Sequence, residues 1–119
     1  MISKIEEYSF GSIKIDNDIY SKDLWIISGK IKKRDKSIAK SKYGSSHKIS
    51  REELKRVVTE KTRRVIIGSG DSGLVSMTNK AMKYLEEKRI DLKVYRTGEL
   101  ARMKMEMGEE DSGIIHLTC

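Results

Sequence analysis

The hydrophobic pattern of the chain changes period near residue 50. Before that point the chain reads as strands, with apolar residues alternating or in a short run; after it, short apolar runs alternate with stretches of helical spacing. In "SIKIDNDIYSKDLWIIS", Ile13 and Ile15 alternate with polar neighbours, and Asn17-Asp18 reads as a turn. Leu24, Trp25, Ile26 and Ile27 follow without a polar break, which predicts a strand over 24–28 buried on both faces. Residues 30–43 are lysine-rich, with Ile31 and Ile38 as weak apolar punctuation, and predict an exposed edge strand or a long connection. Lysines along an edge also hinder sheet-to-sheet aggregation.

Ser50 with Glu53 has the spacing of a capping box, and Leu54, Val57 and Val58 follow at helical spacing, so a helix is expected over 51–61. "RRVIIGS" is a continuous apolar run of the kind found in parallel sheets, giving a strand over 64–68. Thr78 is placed to cap a helix over 78–89 with Ala81, Met82 and Leu85 inward. "DLKVYR" predicts a strand over 91–96. Thr97 opens a helix over 98–107 through Leu100, Met103 and Met107, and "GIIHLT" ends the pattern as a strand over 113–118. The methionines read as core filler. N-terminal strands followed by alternating helices and strands imply an α/β sheet with right-handed crossovers.

Composition narrows the function classes. A length of 119 residues fits one domain over 1–119. No run approaches the roughly eighteen apolar residues of a membrane span, and "MISKIEEYSF" lacks the apolar segment of a signal peptide, so a cytosolic address without membrane contact is expected. Cys119 is the sole cysteine, which excludes an internal disulfide. The net charge of +7 is uneven: residues 1–64 carry 17 Lys or Arg against 9 acids, and residues 65–119 carry 8 against 9. The excess lies in Lys30, Lys32, Lys33, Arg34, Lys36, Lys40, Lys42 and Lys48. Such a run serves first as a solvated edge and second as a contact for a negatively charged partner. Nucleic acid is the weaker partner reading, because Tyr43 alone supplies an aromatic surface there and single-strand binders stack several bases.

"VIIGSGDSG" fits G-x-G-x-x-G through Gly68, Gly70 and Gly73, the spacing of a dinucleotide turn. The flanks disagree. Leu74, Val75, Ser76 and Met77 intervene before the cap Thr78, so the helix starts too late to receive a pyrophosphate. Asp91, the candidate ribose acid, begins its strand, about 15 Å from the end where it would be needed. No dinucleotide or other cofactor is expected. The C-terminal edge of the parallel strands would instead gather loops 44–50, 68–77 and 96–98. There Ser45, Ser46, His47, Gly68, Ser69, Gly70, Asp71, Gly73 and Arg96 form a candidate anion site beside three helix N-termini. The alternative gives the serines turn-capping roles and the glycines only the positive φ they permit, and the sequence leaves both open.

Catalytic arrangements are weak. "GSGDSG" lacks the G-x-S-x-G of a nucleophile elbow, so no catalytic residue is assigned, although His47 or His116 with Asp71 has the types needed to activate Ser45, Ser46 or Ser69. His116, between Ile115 and Leu117, reads as a hydrogen-bonded strand residue. On a strand running to 118, residues 116 and 119 fall on opposite faces, so His47, His116 and Cys119 are not expected to hold a metal.

"YSFGSIKIDNDIYSKDLWI", "KYGSSHKISREEL", "VIIGSGDSG", the Thr97–Ala101 pair and "HLTC" occur in this order over nearly the whole chain. Together they resemble a small α/β domain family of unknown function, the Mth-type domain. It includes the adipogenesis-associated domain-containing protein and a mitochondrial complex I assembly factor. "KYGSSHKI" and "HLTC" resemble its archaeal branch. The resemblance implies a three-layer α/β fold with a mixed central sheet, no established activity and no catalytic residue to carry over. After Ala101 other members show "YNxL", where this chain reads "MKMEMG", so a role for that asparagine does not transfer. The expected function is a non-enzymatic binding or assembly-factor-like protein, monomeric or a small homo-oligomer, with a protein or small-anion partner. The alternative is an enzyme or carrier for a small anionic ligand at the glycine edge.

Overall fold

The computed structural model describes residues 2–44 and 47–119. Its first strands are β1 (Ser3–Ser9), β2 (Ser12–Ile15) and β3 (Asp18–Tyr20), an antiparallel meander that β10 (Glu106–Met107) extends in the order β10-β1-β2-β3. The β2–β3 turn centres on Asp16 and Asn17, with φ of 50° and 72°, one residue earlier than expected. Aspartate and asparagine tolerate this left-handed backbone better than other non-glycine residues. β1 itself carries no clean alternation, because its register with β2 shifts between Ile5 and Glu7.

The main sheet consists of β4 (Leu24–Ile27), β5 (Lys30–Lys33), β7 (Arg64–Ser69), β9 (Asp91–Tyr95) and β11 (Asp111–His116), in the order β5-β4-β11-β7-β9. β11, β7 and β9 are parallel, whereas β4 runs antiparallel to both of its neighbours, β11 and β5, so the sheet is mixed. The lysine-rich segment holds both an edge strand, β5, and a helix, α1 (Ser37–Tyr43), which its sparse apolar residues do not announce. Parallel β6 (Lys48–Ile49) and β8 (Ser76–Met77) form a small ribbon.

Side chains alternate along the central strands and divide the core in two. Leu24, Ile26, Ile66 and Ile115 pack with Ile5, Ile13 and Ile15 and with Leu100 and Ala101 of α4 (Thr97–Arg102). Trp25, Val65, Ile67 and Ile114 pack on the opposite face with Leu54 and Val57 of α2 (Arg51–Val57) and Ala81 and Leu85 of α3 (Asn79–Glu87). The result is the α/β architecture that the pattern implies, with the mixed sheet that the family resemblance implies.

The helices are shorter than expected. α2 stops at Val57 because Val58 turns extended and Thr59 pairs its N–H with the Thr62 hydroxyl. α4 stops at Arg102, since Lys104 takes a φ of 51° that a helix cannot carry. Met107 therefore lies in β10, opposite Ser3, and is fully buried there. Met82 and Met103, assigned to inner helix faces, are exposed; Ala81, Leu85 and Leu100 suffice to fill those contacts. Thr78 accepts from the Ala81 N–H as expected of a cap.

Candidate functional site

Ser50 also caps as expected, accepting from the Glu53 N–H at 3.1 Å. The second half of the box is absent, because the Glu53 carboxylate turns inward. It accepts from Trp25 Nε1 (2.9 Å), Arg34 Nε (2.7 Å) and Arg34 Nη2 (3.0 Å), and the residue has no exposed surface. Arg34 Nη1 donates to Asp23 Oδ2 at 3.1 Å. Asp23 then bridges to the end of β11: its Oδ1 accepts from the Leu117 N–H (2.9 Å) and its Oδ2 lies 2.5 Å from His116 Nδ1. An ionised carboxylate only accepts, so His116 carries its proton on Nδ1 and directs Nε2 away from Asp23. Burial opposes the Asp23 charge, yet the His116 hydrogen bond, the Leu117 amide and the Lys36 charge overcome it and hold the pKa down at about 2. Among the described residues no buried side-chain nitrogen or oxygen lacks a hydrogen-bond partner.

This chain of charges crosses the molecule between two surfaces. On one side a cavity of about 560 Å³ opens over Asp23 and Arg34, ringed by Lys22, Lys33, Lys36 and Lys40 with Asp35 among them. Lys36 Nζ reaches to 3.5 Å from Asp23 Oδ2. On the other side His116 faces the glycine loop.

That loop gathers many of the expected residues, for reasons of packing. Gly68 lets Thr97 and Leu100 approach β7, where a Cβ would stand 3.0 Å from Thr97 Oγ1. Gly70 has a φ of 102°, and a Cβ there would lie 2.5 Å from the Thr118 carbonyl oxygen. The chain's own backbone thus occupies the close approach that a pyrophosphate would require of this glycine. Thr97 Oγ1 accepts from the Gly70 N–H (3.0 Å) and donates to the His116 carbonyl (2.6 Å), joining loop, helix and strand. Ser69 Oγ donates to the Tyr95 carbonyl. Arg96 folds along Gly73 and donates from Nε and Nη2 to the Asp71 carbonyl at 3.0 and 2.8 Å, so its guanidinium clamps the loop. The Asp71 carboxylate accepts from Tyr8 Oη at 3.2 Å, whereas His116 has Asp23 as its carboxylate. Ser45 and Ser46 lie outside the described residues.

His47 does reach this edge. Its ring meets His116 edge-on, with centroids 5.3 Å apart and planes at 86°. The argument that residues 116 and 119 face apart needs a strand through 118, and the structure removes that premise. β11 ends at His116, and Cys119 has a φ of 51°. One ligand atom from each of His47, His116 and Cys119 consequently lies within 4.8 Å of the other two.

Asp23, Arg34 and Glu53 have no motif to mark them, but one signal is readable. Arg34 is the single arginine in a run of lysines, at the place where a planar donor meets two carboxylates.

Residues 5–111 match a family described as protein of unknown function (DUF498/DUF598). The chain belongs to this family. The match spans the glycine loop and the Asp23, Arg34 and Glu53 positions of this DUF498/DUF598 member and stops before His116. Among solved structures it is similar to a conserved hypothetical protein of Pyrococcus horikoshii, with 33% identity, a TM-score of 0.86, and coverage of 98% of this chain and 99% of the other. It is also similar to the protein MT938, at 29% identity and a TM-score of 0.77 over 98% and 99% of the two chains. An outer membrane protein from Bartonella henselae shares the fold at 17% identity and a TM-score of 0.69, covering 97% and 94%. No curated protein matches the DUF498/DUF598 chain. No helix among its described residues is long and apolar enough to cross a membrane.

Proposed function

We propose that this DUF498/DUF598 chain is a non-enzymatic binding domain of the assembly-factor kind, which receives an acidic segment of a protein partner in its lysine-lined cavity. The observation that carries this reading is the convergence of Lys22, Lys33, Lys36 and Lys40 on one cavity. The cavity lies at the edge of the main sheet, beside β5 and α1, where flexible lysines attract carboxylates and discourage strand addition. Below them Arg34 is already committed to Asp23 and Glu53, so the floor is rigid and the rim supplies the attraction. The sequence resemblance to a family with a complex I assembly factor supports an assembly role. Titration with a poly-glutamate peptide tests it. Binding should weaken with added salt and fall at least tenfold in a Lys33→Glu, Lys36→Glu double variant. Binding of inorganic phosphate without the peptide would move the reading to a small-anion ligand, and binding of neither would overturn it.

A further inference from the structure

We propose that His47, His116 and Cys119 form a binding site for a zinc-class divalent ion, distinct from the lysine cavity with which it shares only the supporting Asp23. Their ligand atoms already lie within 4.8 Å of one another. Donors around a tetrahedral zinc stand about 3.5 Å apart, given Zn–N near 2.0 Å and Zn–S near 2.3 Å, so closure takes a contraction of roughly 1 Å. Ring centroids on a shared tetrahedral zinc are about 5 Å apart, and those of His47 and His116 are 5.3 Å apart.

The scaffold fixes each ligand differently. His116 is buried and donates from Nδ1 to the Asp23 carboxylate, the carboxylate–histidine arrangement that sets the tautomer and leaves Nε2 as an acceptor; the Thr118 hydroxyl lies 3.4 Å from it, and an incoming ion displaces that contact. Asp23 is itself held by Arg34 and the Leu117 N–H. The His47 carbonyl accepts from the Ser76 N–H at 2.9 Å, which fixes its backbone beside the β6–β8 ribbon. The neighbouring Thr118 carbonyl accepts from the Asp71 N–H at 3.3 Å, and the left-handed backbone of Cys119 follows. Cys119 is partly exposed, so an ion reaches its sulfur without opening the core. Two imidazole nitrogens and one thiolate suit zinc and cobalt(II) better than magnesium or calcium, and they leave a fourth position for water or an outside donor. Binding releases the thiol proton.

Cobalt(II) titration of the untagged, reduced, metal-free chain tests the site. One equivalent should produce the thiolate-to-cobalt charge-transfer band and the visible bands of tetrahedral geometry, and zinc should displace both. Cys119→Ser should abolish the charge-transfer band, and His47→Ala should weaken binding at least tenfold; neither side chain lies in the core. Asp23→Asn should weaken binding about 10–100-fold while keeping the band at saturation, because its carboxylate positions His116 without touching the ion. Absence of a stoichiometric cobalt signal would overturn the assignment, as would a full signal in Cys119→Ser or an unchanged affinity in His47→Ala.

Discussion

Glu53 sits on a helix with both carboxylate oxygens facing Arg34 and one also facing the Trp25 indole. Every one of these neighbours is a donor, so the site accepts a carboxylate and rejects an amide. Glu53→Gln would turn an NH₂ toward N–H groups and leave the buried Arg34 with Asp23 as its remaining counter-charge. Breaking one side of a buried ion pair costs about 3–5 kcal/mol. The urea-unfolding free energy should fall by that order, and an unchanged midpoint would show that the network adds nothing to stability. Residue-scale features of this kind are the least legible in sequence. The Ser50 and Glu53 spacing announces a capping box, and the same letters serve a glutamate whose side chain points the other way. Period and spacing record which face a residue occupies, whereas the partner it finds depends on strands far along the chain. Asp23 and His116 meet only because β4 and β11 pair.

Elements were more readable where burial is two-sided. β4, β7 and β11 sit side by side in the middle of the main sheet, and their unbroken apolar runs carry that fact directly. The edges were harder. β5 is mostly exposed and α1 offers only Ile38 and Ala39 as aliphatic residues, so apolar periodicity has little to record, and β10 is a two-residue strand recruited by β1 from an apparent helix. Gly113 gives the central pairing its own test. It faces Ile66 in the parallel β11–β7 ladder, where an added Cβ would overlap the Ile66 carbonyl and press on Met107. Gly113→Ala should therefore destabilise the fold by about 1–3 kcal/mol, as overpacking does. Thermal unfolding provides the measurement, and a variant as stable as the parent would mean that the two strands part at no cost. The site was legible only as an edge. The glycine spacing located the loop, but Gly68 and Gly70 serve helix and backbone contacts, and the metal-ligand geometry depends on the chain leaving the strand after His116.

At the scale of the molecule, the small N-terminal sheet must be held against the edge where the glycine loop and residues 117–119 meet; the Gly11 N–H donates to the Leu117 carbonyl at 2.8 Å, and Tyr8 adds the side-chain connection. From β1 its hydroxyl lies 2.8 Å from the Leu117 carbonyl and 3.2 Å from Asp71 Oδ1, donating between two acceptors. Burial of the phenol, the hydrogen bond to Asp71 and the Asp71 charge all disfavour the phenolate and push the Tyr8 pKa up to about 12. Burial alone raises Tyr84, and burial with Asp18 and Asp16 raises Tyr20, without the same acceptor contacts. The sign follows from protonation. The folded state favours the neutral phenol, so the contribution of Tyr8 is complete below its ordinary pKa near 10 and is lost as pH rises toward 12. Ultraviolet titration of the folded protein should show a tyrosine that ionises near pH 12, and Tyr8→Phe should remove that component while leaving the earlier ones. The same variant should lose less stability than the parent between pH 10 and 12. If the late component persists in Tyr8→Phe, the tie between the small sheet and the glycine edge runs through some other contact.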